Sequence, residues 1–184
     1  MAVLDFRRDH RISDSQRRVL REFCQELGGD PVVLANKLGL KVFRTSLPHD
    51  EDGYIEVDDN REASSGFRIV LNENHSLERQ KFTLAHEIGH FVLHRSTARF
   101  VEAEKVGNVI AFPTSFRSAD AWDNRDQPAW MEREADRFAV CLLLPANAVR
   151  RSPEFIQGQP IALAKRLGLS RLFVLNRFEE LTFD

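Results

Sequence analysis

Two short motifs about forty residues apart constrain this chain more than anything else in it. The first is His86-Glu87-Ile88-Gly89-His90, inside the apolar run from Phe82 to His94; the second is Glu132-Arg133-Glu134-Ala135-Asp136. On an α-helix, residues i and i+4 share one face about a turn apart, because each residue rises ~1.5 Å. His86 and His90 can therefore present imidazole nitrogens to one ion, with Glu87 beside it. Leu84, Ile88, Phe91 and Val92 surround them with apolar side chains, so the histidines are expected on a buried helical face. The alternative is a pair of satisfied core histidines beside a solvated Glu87.

A catalytic zinc ion needs a third protein ligand and an open position. One class of HExxH proteins supplies that ligand from a histidine at the eleventh position, with glycine at the eighth. Here those positions hold Ser96 and Leu93, so that route is closed. His94 lies ~12 Å from His86 along a straight helix and is expected to pack or hydrogen-bond at the helix end. Glu132 is then the candidate third ligand, since glutamate binds zinc directly. Asp136, one turn later, can accept the free N–H of a ligand histidine and fix its tautomer. Glu134 is rotated ~160° from Asp136 and is expected on the outer face or in an ion pair with a neighbouring arginine. A solvated helix start is the alternative for Glu132, because acids are favoured there by the helix dipole. Glu87 is the candidate general base, with Tyr54 and His94 as candidate oxyanion donors. The expected ion is Zn2+, although the same donors accept Mn2+.

Around these motifs the periodicity reads as α+β. Apolar positions Val19, Leu20, Phe23 and Leu27 predict an amphipathic helix over residues 13 to 27, followed by a shorter one from Pro31 to Leu38. Three extended segments follow, Lys41 to Thr45, Tyr54 to Asp58 and Phe67 to Leu71, suggesting a small antiparallel sheet. Ser76 can cap a helix running to about His94, and Pro128 opens another that ends near Leu143, before Pro145. Residues 96 to 127 read as a long irregular excursion, and Phe112 to Gln127 could shape a cleft or be a plain surface loop. The tail predicts two helices, Ile161 to Ser170 and Arg171 to Leu181, joined at Gly168-Leu169-Ser170. The 184 residues suit one domain, divisible into an N-terminal helix (1–30), a catalytic core (31–145) and a helix-turn-helix-like segment (146–184).

Composition removes other classes. Lys and Arg total 26 against 28 Asp and Glu, so no overall positive excess points to nucleic acid. Cys24 and Cys141 form neither a ligand spacing nor a disulfide framework, which suits a reducing cytoplasm. The N-terminal residues lack the apolar core of a signal peptide. No stretch approaches the ~20 apolar residues of a membrane span.

The run from Phe82 to His90, with Glu132 to Ala139 and Leu142-Leu143-Leu144-Pro145, resembles the ImmA/IrrE metallopeptidases, zinc proteases related to the gluzincins. The resemblance covers about residues 30 to 181. It implies a zincin-like minimal metallopeptidase fold: a small antiparallel or mixed sheet packed on the HExxH helix and a second ligand helix, with further helices at both ends. By motif position it implies His86, His90 and Glu132 as zinc ligands, Glu87 as general base, and Asp136 as the acid one turn beyond the third ligand. It further implies a cytoplasmic endopeptidase whose substrate is a helix-turn-helix repressor or antitoxin. Rival readings are a partner-binding protein that does not cut, a toxin with another protein target, and a DNA-binding regulator using Ala162 to Phe178.

Overall fold

The computed structural model describes residues 9–95 and 129–183. The expected excursion over 96–127 lies outside the described residues. Helix α1 (Asp14–Phe23) starts where Ser13 and Gln16 satisfy each other's backbone N–H groups, a reciprocal cap. It stops four residues short of the expected end. Helix α2 (Pro31–Lys37) is capped by Asp30, whose carboxylate accepts from Val32 N at 2.9 Å.

Strands β1 (Lys41–Thr45), β2 (Gly53–Val57) and β3 (Phe67–Asn72) form one sheet in the order β1-β3-β2. β2 runs antiparallel to β3, with Ile55 opposite Ile69, whereas β1 runs parallel to β3, with Val42 opposite Ile69. The sheet is therefore mixed, not purely antiparallel as the strand spacing suggested. Alternation identifies a strand and its buried face, but carries no record of its neighbour. β3 takes the centre because it is apolar on both faces, its Phe67, Ile69, Val70 and Leu71 all being buried. β1 is largely exposed.

The segment linking β1 to β2 is held by buried polar groups. Asn72 Nδ2 donates to the carbonyls of Pro48 and Glu51 at 3.0 and 2.8 Å. The buried Asp52 carboxylate receives Arg79 and His75, the latter at 2.7 Å from its Nδ1. These contacts fix the edge of the sheet to the start of helix α3 (Leu77–His94), which Ser76 caps through Arg79 N at 3.3 Å.

Every residue of α3 from Thr83 to His94 is buried. A helix buried on all sides belongs in a core, and α3 is covered by β2 and β3 on one side and by helix α4 (Ala129–Leu143) on another. Two short helices, α5 (Ala146–Arg150) and α6 (Pro153–Ile156), occupy a stretch for which no helix was expected. Helices α7 (Pro160–Leu167) and α8 (Arg171–Phe183) form the expected terminal pair. Gly168 at φ +59° supplies the left-handed residue that ends α7. Phe67, Leu84, Ile88, Phe138, Leu142, Leu163 and Val174 share one hydrophobic cluster that extends from Ile12 to Leu181. Arg177 is buried within the pair and donates from Nε to the Leu144 carbonyl at 3.1 Å and from Nη1 to Glu180 at 2.7 Å. Arg166 pairs with Glu154 at 2.5 Å. Two of the basic residues that could have read DNA are thus committed to the protein itself. Among the described residues, no helix is long and apolar enough to cross a membrane.

Candidate metal centre

The site lies where α3 crosses α4, and a glycine sets how closely the two approach. A Cβ built on Gly89 would stand 3.1 Å from a ring carbon of Phe138 and 3.2 Å from the Cα of Ala135. With only hydrogen there, the helix backbones come close enough for Glu132 to reach both histidines of α3. Glu132 Oε2 lies 3.3 Å from His86 Nε2, and Glu132 Oε1 lies 3.3 Å from His90 Nε2. The two Nε2 atoms are 2.8 Å apart.

Two imidazole nitrogens so close cannot both direct lone pairs at each other, nor can both carry protons there; the arrangement calls for a shared proton or a cation. Tetrahedral zinc with bonds of about 2.05 Å spaces its ligand atoms about 3.3 Å apart. Each histidine Nε2 stands at that distance from a Glu132 oxygen, the two nitrogens are closer at 2.8 Å, and these three residues are the group among the described residues able to hold a metal. Two nitrogens and one carboxylate make a three-donor set of the catalytic type, which leaves the fourth position of a tetrahedral ion to another ligand.

The surroundings orient the donors. Asp136 Oδ1 is 2.8 Å from His86 Nδ1, so His86 donates through Nδ1 and turns Nε2 toward the cluster. Burial opposes a charge on His86, but the Asp136 and Glu132 carboxylates outweigh it and raise its pKa to about 10. His90 moves the other way: burial, with the neighbouring His86 charge, pushes it down to about 4. Burial would raise the Glu132 pKa, yet contact with both histidines holds it below the usual carboxylate range. These opposed shifts favour a single proton over the two facing imidazole nitrogens, held against the Glu132 carboxylate, and an incoming cation would displace it. Glu87, fully buried, follows His86 directly on α3.

Two expectations about flanking residues take a definite form. His94 is fully buried, with Nδ1 3.1 Å from His90 Nδ1 and Nε2 3.1 Å from Glu134 Oε2. Both its ring nitrogens are engaged behind His90, as expected of a hydrogen-bonding residue at the helix end. Glu134 does pair with an arginine, Arg11 at 2.6 Å, but it also reaches His94. Tyr54 stands on β2 opposite Val70, and among the described residues no hydrogen bond joins it to the cluster. The contact of Arg11 with the site was missed, and no periodicity could reveal it, because Arg11 and Glu134 are 123 residues apart.

Comparison with known proteins agrees with this geometry. The sequence profile described as the IrrE N-terminal-like domain, of peptidase family M78, matches residues 35–179. No curated protein gives a significant match. Among solved structures, a Mycobacterium tuberculosis transcriptional regulator superposes with a TM-score of 0.53 at 16% identity. The superposition covers 94% of this chain and 48% of the regulator, so the chain spans about half that protein's length. At such low identity the likeness is one of fold. The family match takes in the whole crossing of α3 and α4 with its three converging donors, and by that match the chain belongs to the IrrE N-terminal-like peptidases of family M78.

Proposed function

We propose that this protein is a metal-dependent endopeptidase that cuts a partner protein, with His86, His90 and Glu132 as its metal ligands. The observation that carries the reading is the convergence of three donor residues, the two histidine Nε2 atoms 2.8 Å apart and each 3.3 Å from a Glu132 oxygen, beside a buried Glu87. A divalent ion in that position, Zn2+ or Mn2+, supplies Lewis-acid polarisation of a scissile carbonyl and a nucleophile available at neutral pH. Glu87 takes the proton from the attacking water on its carboxylate and delivers it to the leaving amine. Asp136 holds His86 in the tautomer whose Nε2 is free to bind. Peptide substrate adds alongside the edge strand β2, which pairs with β3 on one side.

The substrate class we favour is a helix-turn-helix repressor or antitoxin. Its support is the family resemblance, together with the fold shared with a transcriptional regulator. The test is incubation of the protein with the helix-turn-helix protein encoded nearest to it, with Zn2+ or Mn2+, beside the Glu87→Gln variant. Cleavage by the parent protein and loss of at least ~100-fold in the variant are expected, the ordinary contribution of a general base. A stable complex with no cleavage by the parent protein would replace the peptidase with a binding protein.

A further inference from the structure

The two histidines of the cluster are supported by different means. His86 has a carboxylate directly behind it, Asp136 at 2.8 Å. His90 instead has a second imidazole behind it, and the carboxylate stands one residue further away. With Nε2 of His90 facing the cluster, its proton sits on Nδ1, which donates to Nδ1 of His94 at 3.1 Å. That acceptance fixes the His94 proton on Nε2, which donates to Glu134 Oε2 at 3.1 Å. Glu134 is held in turn by Arg11, with Nη1 at 2.6 Å and Nη2 at 3.3 Å. Arg11 is itself anchored by Asp9 at 2.7 Å. Each step leaves one assignment of donor and acceptor, so Arg11, by placing the Glu134 carboxylate, holds the His94 and His90 rings in place through three hydrogen bonds.

We infer that Arg11, Glu134 and His94 are positioning residues for the metal centre, and that the N-terminal segment before α1 is a working part of it. The inference rests on the metal-site reading above. It extends that reading beyond the family boundary, because the matched region begins at residue 35 and Arg11 lies well before it. Three features favour a positioning role over simple surface pairing. The contact between His90 and His94 is buried, with both rings fully enclosed. Arg11 forks across both oxygens of Glu134 instead of touching one. Trp130 closes the far side of His94 edge-on, with ring centres 5.7 Å apart, leaving the imidazole little freedom to turn over.

The test is metal binding to the full chain, read with Zn2+ by competition and with Co2+ by visible absorption. The parent protein is expected to take one ion, and His86→Ala to take none. Arg11→Ala and His94→Phe are each expected to weaken Zn2+ binding about tenfold, the usual cost of losing an outer partner of a ligand histidine. Both should also shift the Co2+ bands, which a purely structural contact would leave alone. Glu134→Gln keeps an oxygen that accepts from His94 and should lose less, and Arg11→Lys should recover part of the Arg11→Ala loss. Circular dichroism and thermal unfolding of each variant separate misfolding from mispositioning. Parent-like affinity and an unchanged Co2+ spectrum in both Arg11→Ala and His94→Phe would overturn the inference while leaving the metal site standing. If the parent protein binds no ion, or if His86→Ala binds like the parent, the metal-site reading itself is wrong and this inference goes with it.

Discussion

Replacing Gly89 by alanine should separate folding from metal binding. The new methyl would lie 3.1 and 3.2 Å from atoms of Phe138 and 3.2 Å from the Cα of Ala135, all inside ordinary van der Waals distance. Phe138 can turn by a small angle, but Ala135 Cα is backbone, so α3 and α4 must part by a few tenths of an ångström. Overpacking of this kind costs about 1–3 kcal/mol, while alanine in place of glycine returns about 1 kcal/mol to the helix. The net loss of stability is therefore about 0–2 kcal/mol, and the variant should fold. Metal bonds tolerate displacement of only about 0.2 Å, and Glu132 and Asp136 ride on the same turns of α4 as Ala135. Zn2+ affinity should accordingly fall by about tenfold or more, as it does when ligand support is lost. Competition against a chromophoric chelator measures the affinity, and thermal unfolding of the metal-free protein measures the stability. A Gly89→Ala protein that folds and binds zinc like its parent would refute the claim that this close approach assembles the site.

Metal affinity should rise with pH. With the His86 pKa raised to about 10, the empty site carries one proton across the neutral range, so the apparent association constant gains about tenfold per pH unit between pH 6 and 9. Calorimetry in buffers of different ionisation enthalpy should count one proton released per ion. The same raised pKa means that the metal-free protein draws stability from His86 that is full below about pH 6.5, its unfolded value, and fades as pH climbs toward 10; denaturant titrations of the metal-free protein at pH 6.5 and 9 check the sign. Chelation should lower the unfolding temperature of the parent protein, by the equivalent of ~2.7 kcal/mol from an ion at a hundred times its Kd, and should leave His86→Ala unmoved. Arg177→Ala should cost about 2–3 kcal/mol in denaturant unfolding, since it strips the partner from the Leu144 carbonyl and opens a gap beneath α8.

Much of this architecture was legible in the residues, and its limits follow from what periodicity can encode. Strand β1 was placed to the residue, and β2 and β3 within one residue at either end, because alternation and turn clusters are local. Ser76, Pro31 and Gly168 marked helix ends for equally local reasons of capping and backbone geometry. The order of strands was not legible, since parallel pairing of β1 with β3 depends on a crossover that no single segment records. The short helices α5 and α6 escaped because a single turn or two leaves no measurable period. At the metal centre, the i, i+4 spacing of His86 with His90 and of Glu132 with Asp136 is itself local, so the donors can be read from two short segments. The chain from His90 through His94 and Glu134 to Arg11 joins three elements distant in sequence, and only tertiary structure closes it.

The donors on α3 and α4 belong to stretches separated by about forty residues of chain. An ion held between them would tie α3 to α4 in the folded protein. Because it binds the folded state and leaves on unfolding, its stabilisation grows by about 1.4 kcal/mol for each tenfold rise in free ion above the Kd. A cell whose free zinc fluctuates would thus vary the lifetime of this protein together with the metal-dependent activity proposed for it, since the unfolded fraction rises as the ion is withdrawn.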